Sequence, residues 1–103
     1  MKIYCIGQYQ FIPRQIMRKC AYGEIFDHKT RQISYVRRMG NGFYPRFHVY
    51  IDTTDNGFVV NLHLDQKKAS YTGSHAHNAE YDGPRVEQEA KRIEMTIAQY
   101  KIG

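Results

Sequence analysis

The stretch from Arg46 to Lys67 constrains the fold most, because it has the residue pattern of a β-hairpin. Apolar and polar residues alternate on both sides of an Asp55-Asn56-Gly57 turn signal. Successive side chains of a strand point to opposite sides, so the alternation predicts one apolar and one polar face. The polar face then carries His48, Tyr50, His63 and Asp65.

Two hairpin registers keep apolar residues opposite apolar ones. A two-residue turn at Asn56-Gly57 places His48 opposite Asp65. A four-residue loop over Thr54 to Gly57 places His48 opposite His63 instead. Both registers make these polar side chains neighbours, whereas a one-residue slip would oppose apolar and polar residues along both strands.

The remaining patterns predict an α+β fold. Strand patterns over about 21–26, 31–39, 46–53 and 58–66 indicate an antiparallel meander of about four strands. A C-terminal helix is predicted over about 84–101, opening at Pro84, with an apolar stripe from Val86 to Tyr100 that should pack on the apolar face of the sheet. Its other face should be charged, with Arg85 and Glu89 forming an ion pair one turn apart.

Two segments are harder to assign. Residues 1–19 are either an edge segment of the sheet, with a short strand over Lys2 to Ile6 and a helix from Pro13, or a basic arm that orders on a partner. Residues 68–83 contain histidine and tyrosine without sustained periodicity, and we expect a long, partly ordered loop.

Length and composition predict the class of protein. The 103 residues fit a single domain. No apolar run approaches the roughly 20 residues of a membrane helix, and the start of the chain lacks signal-peptide character. We therefore expect a cytoplasmic protein without a membrane partner. Cys5 and Cys20 are expected to be free packing residues, with a disulfide between them as the alternative.

Positive charge is concentrated in the first half of the chain. Residues 1–50 carry nine Lys and Arg against two acidic residues, whereas residues 51–103 carry six against eight. Arginines interleaved with aromatic residues are the combination that single-stranded nucleic acid requires. RNA or single-stranded DNA is therefore the predicted partner. The predicted binding residues are Arg14, Arg18, Lys19, Arg31, Tyr35, Arg37, Arg38, Phe43, Tyr44 and Arg46.

A second hypothesis is an enzyme of the nuclease or phosphodiesterase class. His48, His63, Asp65 and Tyr50 form the candidate catalytic set, because a histidine paired with an aspartate favours proton transfer. No cofactor is expected, but a divalent metal on His75, His77 and Glu80 would give an assisted version, since two imidazoles and a carboxylate suit zinc, manganese or iron.

The third hypothesis is a protein-interaction module or a homodimer that uses the free sheet face or an edge strand. The sequence contains no Walker-type or GxGxxG loop. Ser34, Ser70 and Ser74 lie in no nucleophile-elbow motif, which argues against nucleotide-dependent and serine-hydrolase chemistry.

Overall fold

The computed structural model describes residues 1–66 and 79–103 and has the predicted α+β fold. Its elements are β1 Lys2–Ile6, α1 Pro13–Lys19, β2 Gly23–Asp27, β3 Gln32–Arg38, β4 Arg46–Thr54, β5 Gly57–Asp65, β6 Ala79–Glu80 and α2 Pro84–Ala98. The strands form an antiparallel sheet in the order β1-β5-β4-β3-β2, and β6 also pairs with β5. The meander from β2 to β5 therefore follows the sequence, as predicted.

The central hairpin adopts the second of the two predicted registers. His48 lies opposite His63, and Val49 lies opposite Leu62. The loop is shorter than predicted, because Thr54 and Gly57 are themselves paired. Only Asp55 and Asn56 connect the two strands.

The N-terminal segment lies in the sheet and on its core rather than projecting as an arm. β1 pairs with β5, so the first strand lies beside the last strand of the meander. α1 begins at Pro13, whose fixed φ and missing N–H suit a first helical turn. Ile16 and Met17 of α1 are fully buried, which explains why this short helix forms.

The predicted loop 68–83 needs a correction at its C-terminal end. Ala79 and Glu80 form β6, which pairs with Asp65 and Leu64 of β5. Residues 67–78 lie outside the described part of the chain.

One apolar core lies between the sheet and both helices. The stripe of α2 is buried as predicted at Val86, Ala90, Ile93 and Ile97. α2 ends at Ala98, earlier than predicted, and the ring of Tyr100 beyond it packs edge-on against Phe11. The sheet contributes Val49, Val60, Leu62 and Leu64, which are all under 2 % exposed.

Glu89 departs from the sequence prediction. It lies three residues after Val86 and four before Ile93, so the helical period turns it inward, and its side chain is only 4 % exposed. Arg92 Nε donates to it at 2.8 Å and the Tyr22 hydroxyl at 2.6 Å. The predicted partner, Arg85, instead pairs with Glu80 at 3.3 Å.

Cys5 and Cys20 are free and buried, as the packing interpretation predicted. Burial raises the pKa of each thiol to about 11. No helix among the described residues is long and apolar enough to cross a membrane.

Candidate functional site on the open face of the sheet

Both helices pack on one face of the sheet, and we call the opposite side the open face. In the described residues, neither α1 nor α2 covers it. The register places Arg46 opposite Asp65 and His48 opposite His63. Residues two apart on a strand share a face, so all four side chains project from the open face.

Asp65 is the centre of a polar cluster on this face. His48 Nδ1 lies 3.1 Å from its Oδ2 oxygen, and His63 Nε2 lies 2.9 Å from its Oδ1 oxygen. Arg46 Nε lies 3.4 Å from Oδ2. Burial acts to raise the pKa of the Asp65 carboxyl, but the hydrogen bonds from both histidines outweigh it and hold the pKa well below its usual range. The cluster is therefore built around an ionised carboxylate.

Ser34 extends this cluster onto a third strand. Its Oγ lies 2.8 Å from His48 Nε2, and both side chains are buried. The sequence prediction did not include Ser34, because no motif surrounds it. The missing information is the register between β3 and β4, which places Tyr35 opposite Val49 and therefore puts Ser34 on the open face. The chain between these strands is too long and irregular to reveal that register.

A row of aromatic rings lies beside the cluster, and we call Tyr50, His63 and Tyr81 the aromatic row. The ring centroids of Tyr50 and His63 are 6.1 Å apart at an interplanar angle of 18°. Those of His63 and Tyr81 are 5.3 Å apart. Tyr50 is 39 % exposed and Tyr81 is 56 % exposed. The sequence did not predict Tyr81 as a site residue, because its position follows from the pairing of β6 with β5.

A groove of about 310 Å³ runs along the aromatic row. Besides the three rings, Lys2 and Asn61 line it. The groove therefore combines aromatic walls with a positive charge and a polar amide.

Four of the predicted nucleic-acid-binding residues lie together on or beside the open face. Arg38 and Arg46 are paired across β3 and β4. The guanidinium carbon of Arg38 lies 4.2 Å from the centroid of the Phe43 ring, and that of Arg46 lies 4.7 Å from the centroid of the Tyr44 ring. These are cation–π contacts.

The other predicted binding residues lie elsewhere. Tyr35 is buried in the core, so its ring is unavailable for stacking on a base. Arg37 lies on the helix side of the sheet, where its Nη1 is 3.5 Å from Glu89 Oε1. Arg31 ends the turn between β2 and β3 in a left-handed conformation with φ 61°.

Three basic residues belong to α1, which packs on the core side of the sheet. These are Arg14, Arg18 and Lys19. Arg14 forms an ion pair with Glu24, and Lys19 Nζ lies 4.6 Å from the centroid of the Phe11 ring. The predicted basic surface is thus divided between two sides of the molecule.

The predicted metal site at His75, His77 and Glu80 stays a prediction. His75 and His77 lie outside the described part of the chain, and Glu80 binds Gln66 and Arg85. Among the described residues, a separate set that could hold a divalent cation is His48, His63 and Asp65, whose ligand atoms all lie within 4.8 Å of one another. The Arg46 guanidinium beside Asp65 opposes a second cation there.

Comparison of the chain with protein-family models, curated proteins and solved structures gives no match.

Proposed function

We propose that the open face binds single-stranded RNA or DNA, with bases stacked on the aromatic row. The observation that carries the proposal is the groove between Tyr50 and Tyr81, about 310 Å³ in volume. Base-on-ring stacking contributes roughly 1–3 kcal/mol per base and tolerates any sequence.

The chemistry of the groove favours a nucleobase over a purely apolar ligand. Its walls are aromatic, whereas Asn61 and Lys2 add a polar edge and a positive charge. Exposed tyrosines on a sheet face, open on one side, are the arrangement that single-stranded RNA modules use to splay and stack bases.

Phosphate contacts come from the two arginines that share this face. Arg38 is exposed beside Phe43, and Arg46 belongs to the polar cluster, where it contacts Asp65. Each ring holds its guanidinium in place, so less side-chain freedom is lost on binding. The proposed surface contains fewer residues than the binding set predicted from the sequence, because it excludes Arg31, Tyr35, Arg37 and the three basic residues of α1.

Fluorescence anisotropy with a labelled oligouridine tests this proposal. Tyr50→Ala and Tyr81→Ala should each weaken binding by about tenfold, the loss expected for one stacked base. Phe26→Ala is the matched control, because Phe26 is an exposed aromatic residue away from the open face. Arg38→Gln should lower the salt dependence of binding.

Two results would contradict the proposal. One is binding that is absent even at low salt. The other is binding that Phe26→Ala weakens as much as the two tyrosine variants do.

A second candidate function is phosphodiester cleavage at the same face. It is favoured by the ligand atoms of His48, His63 and Asp65, which lie within 4.8 Å of one another. A divalent metal held there would polarise a phosphoryl oxygen, and without metal the two imidazoles would supply acid–base groups. If the metal-assisted version is correct, RNA incubated with the protein should be cleaved in Mn²⁺. If the metal-free version is correct, RNA should also be cleaved in EDTA. Cleavage that survives His63→Ala would contradict both versions.

A further inference from the structure

Ser34, His48 and Asp65 form a continuous hydrogen-bonded chain across three neighbouring strands. Ser34 Oγ lies 2.8 Å from His48 Nε2, and His48 Nδ1 lies 3.1 Å from Asp65 Oδ2. We propose that Ser34 is a nucleophile activated by His48 and that this chain hydrolyses small, neutral carboxylic esters. The proposal does not rest on nucleic-acid binding, but its cleft shares Tyr50 and Arg46 with the proposed binding surface.

The proton positions follow from the partners of the imidazole. An ionised carboxylate only accepts hydrogen bonds, so His48 Nδ1 carries a proton and donates a hydrogen bond to Asp65. In the neutral ring, Nε2 then has a free lone pair and accepts a hydrogen bond from the Ser34 hydroxyl. This is the tautomer in which a histidine serves as general base to a serine.

The strands and the surrounding bonds hold this arrangement in place. Ser34 lies on β3, His48 on β4 and Asp65 on β5, and these strands are adjacent in the sheet. His63 binds the other carboxylate oxygen of Asp65, and Arg46 contacts the same oxygen as His48, so the carboxylate is held in one orientation. A serine, histidine and aspartate recur with this connectivity on unrelated folds, so geometry identifies the site without a sequence motif. The proposal therefore reverses the sequence-based expectation against serine-hydrolase chemistry, which was based on the missing nucleophile-elbow motif around Ser34.

Ser34 is 7 % exposed and lines a cleft of about 230 Å³, which shares Tyr50 with the groove at the aromatic row. Gln32 and Arg46 also line it, and their N–H groups are the candidate donors to the oxyanion of a tetrahedral intermediate. Asp27 lines the same cleft, so its negative charge offsets the positive charge of Arg46 and the lining favours neither an anionic nor a cationic acyl group. The volume and charge together select a short, uncharged ester.

The reaction is redox-neutral and consumes one water. Ser34 Oγ attacks the ester carbonyl carbon while its proton passes to His48 Nε2. The carbon–oxygen bond to the alcohol breaks, and the leaving oxygen takes the proton from His48, which leaves an acyl ester on Ser34. Water then attacks that ester with His48 as base, and the proton returns to Ser34 as the acid departs.

The direct test is labelling of the intact protein with a fluorophosphonate, followed by peptide mapping. We expect one phosphonate adduct on Ser34, and p-nitrophenyl acetate should be hydrolysed with an initial burst. Ser34→Ala should abolish both, whereas Ser74→Ala should retain both. Oligouridine binding should survive Ser34→Ala, which separates this proposal from the proposed function.

Asp65 acts through His48 as a positioning residue, so its variant requires a pH profile. Asp65→Asn should reduce ester hydrolysis by about 10³-fold or more near neutral pH, with partial recovery at alkaline pH. Absence of an adduct on Ser34, labelling at another residue, or hydrolysis unchanged by Ser34→Ala would each overturn the proposal. Peptide mapping of the wild-type protein decides this even where a variant fails to fold.

Discussion

His48 and His63 lie directly opposite each other on β4 and β5, with ring centroids 4.9 Å apart. Two imidazoles this close would repel each other if both were protonated. The carboxylate of Asp65 binds one ring with each oxygen and allows them to share this position. The polar cluster therefore depends on Asp65 for its stability.

Asp65→Asn should destabilise the protein by about 2 kcal/mol, because the amide nitrogen cannot accept a hydrogen bond and one histidine or Arg46 loses its partner. Urea unfolding measures this change. Asp52→Asn is the control on the same face, since Asp52 is exposed and its substitution should change stability by less than about 0.5 kcal/mol. Equal effects of the two substitutions would contradict the central role of Asp65.

The stability contributed by Asp65 should depend on pH in one direction. Burial acts to raise its pKa, but the hydrogen bonds from His48 and His63 hold the pKa of the folded state below the ordinary 3.8. The contribution is therefore fully present above pH 3.8 and is lost as pH falls towards the folded-state pKa. The urea midpoints of the wild type and of Asp65→Asn should converge as the solution is acidified below pH 3.8. A gap that stays constant or widens on acidification would contradict this assignment.

The buried contact between Tyr22 and Glu89 should also be measurable. The hydroxyl donates at 2.6 Å to a carboxylate that is almost fully buried, and hydrogen bonds to charged groups contribute roughly 1.5–3 kcal/mol. Tyr22→Phe should lower the free energy of unfolding by that order. Tyr4→Phe is the matched control because Tyr4 is 68 % exposed, and it should leave stability unchanged.

Gly57 should tolerate no side chain. Its φ is 157°, and a Cβ atom there would overlap the carbonyl of Cys5 on the neighbouring β1. Gly57→Ala should therefore separate β1 from β5 and cost about 2 kcal/mol or more, as other overpacked sites do. Gly40→Ala is the control, since a Cβ at Gly40 would contact nothing within 4 Å. Thermal unfolding of the two variants compares them directly.

The sequence predicted the parts of the fold that depend on local periodicity. The alternation around Asp55-Asn56-Gly57 predicted the central hairpin and a register that the structure confirms. The spacing from Val86 to Ile97 predicted α2 and its buried face. Both patterns repeat over many residues, so the prediction does not depend on the identity of any single residue.

The candidate site was predictable only where one hairpin supplies it. His48, His63 and Asp65 belong to β4 and β5, so one register argument brings them together. Ser34 and Tyr81 come from β3 and from beyond β6, and their positions depend on pairings across irregular connections. Tyr35 was wrongly predicted as a binding residue, because Tyr35 and Arg37 lie on the helix side of β3 whereas Arg38 lies on the open face.

Carbon-13 labelling of the tyrosine rings tests the proposed binding surface most directly. On titration with oligouridine, the ring resonances of Tyr50 and Tyr81 should shift upfield, because stacked bases exert ring currents on them. The rings of Tyr22 and Tyr35 are buried on the helix side and should remain unchanged, which provides an internal control. Shifts confined to other tyrosines, or no shift of Tyr50 and Tyr81 at low salt, would contradict nucleic-acid binding at the open face.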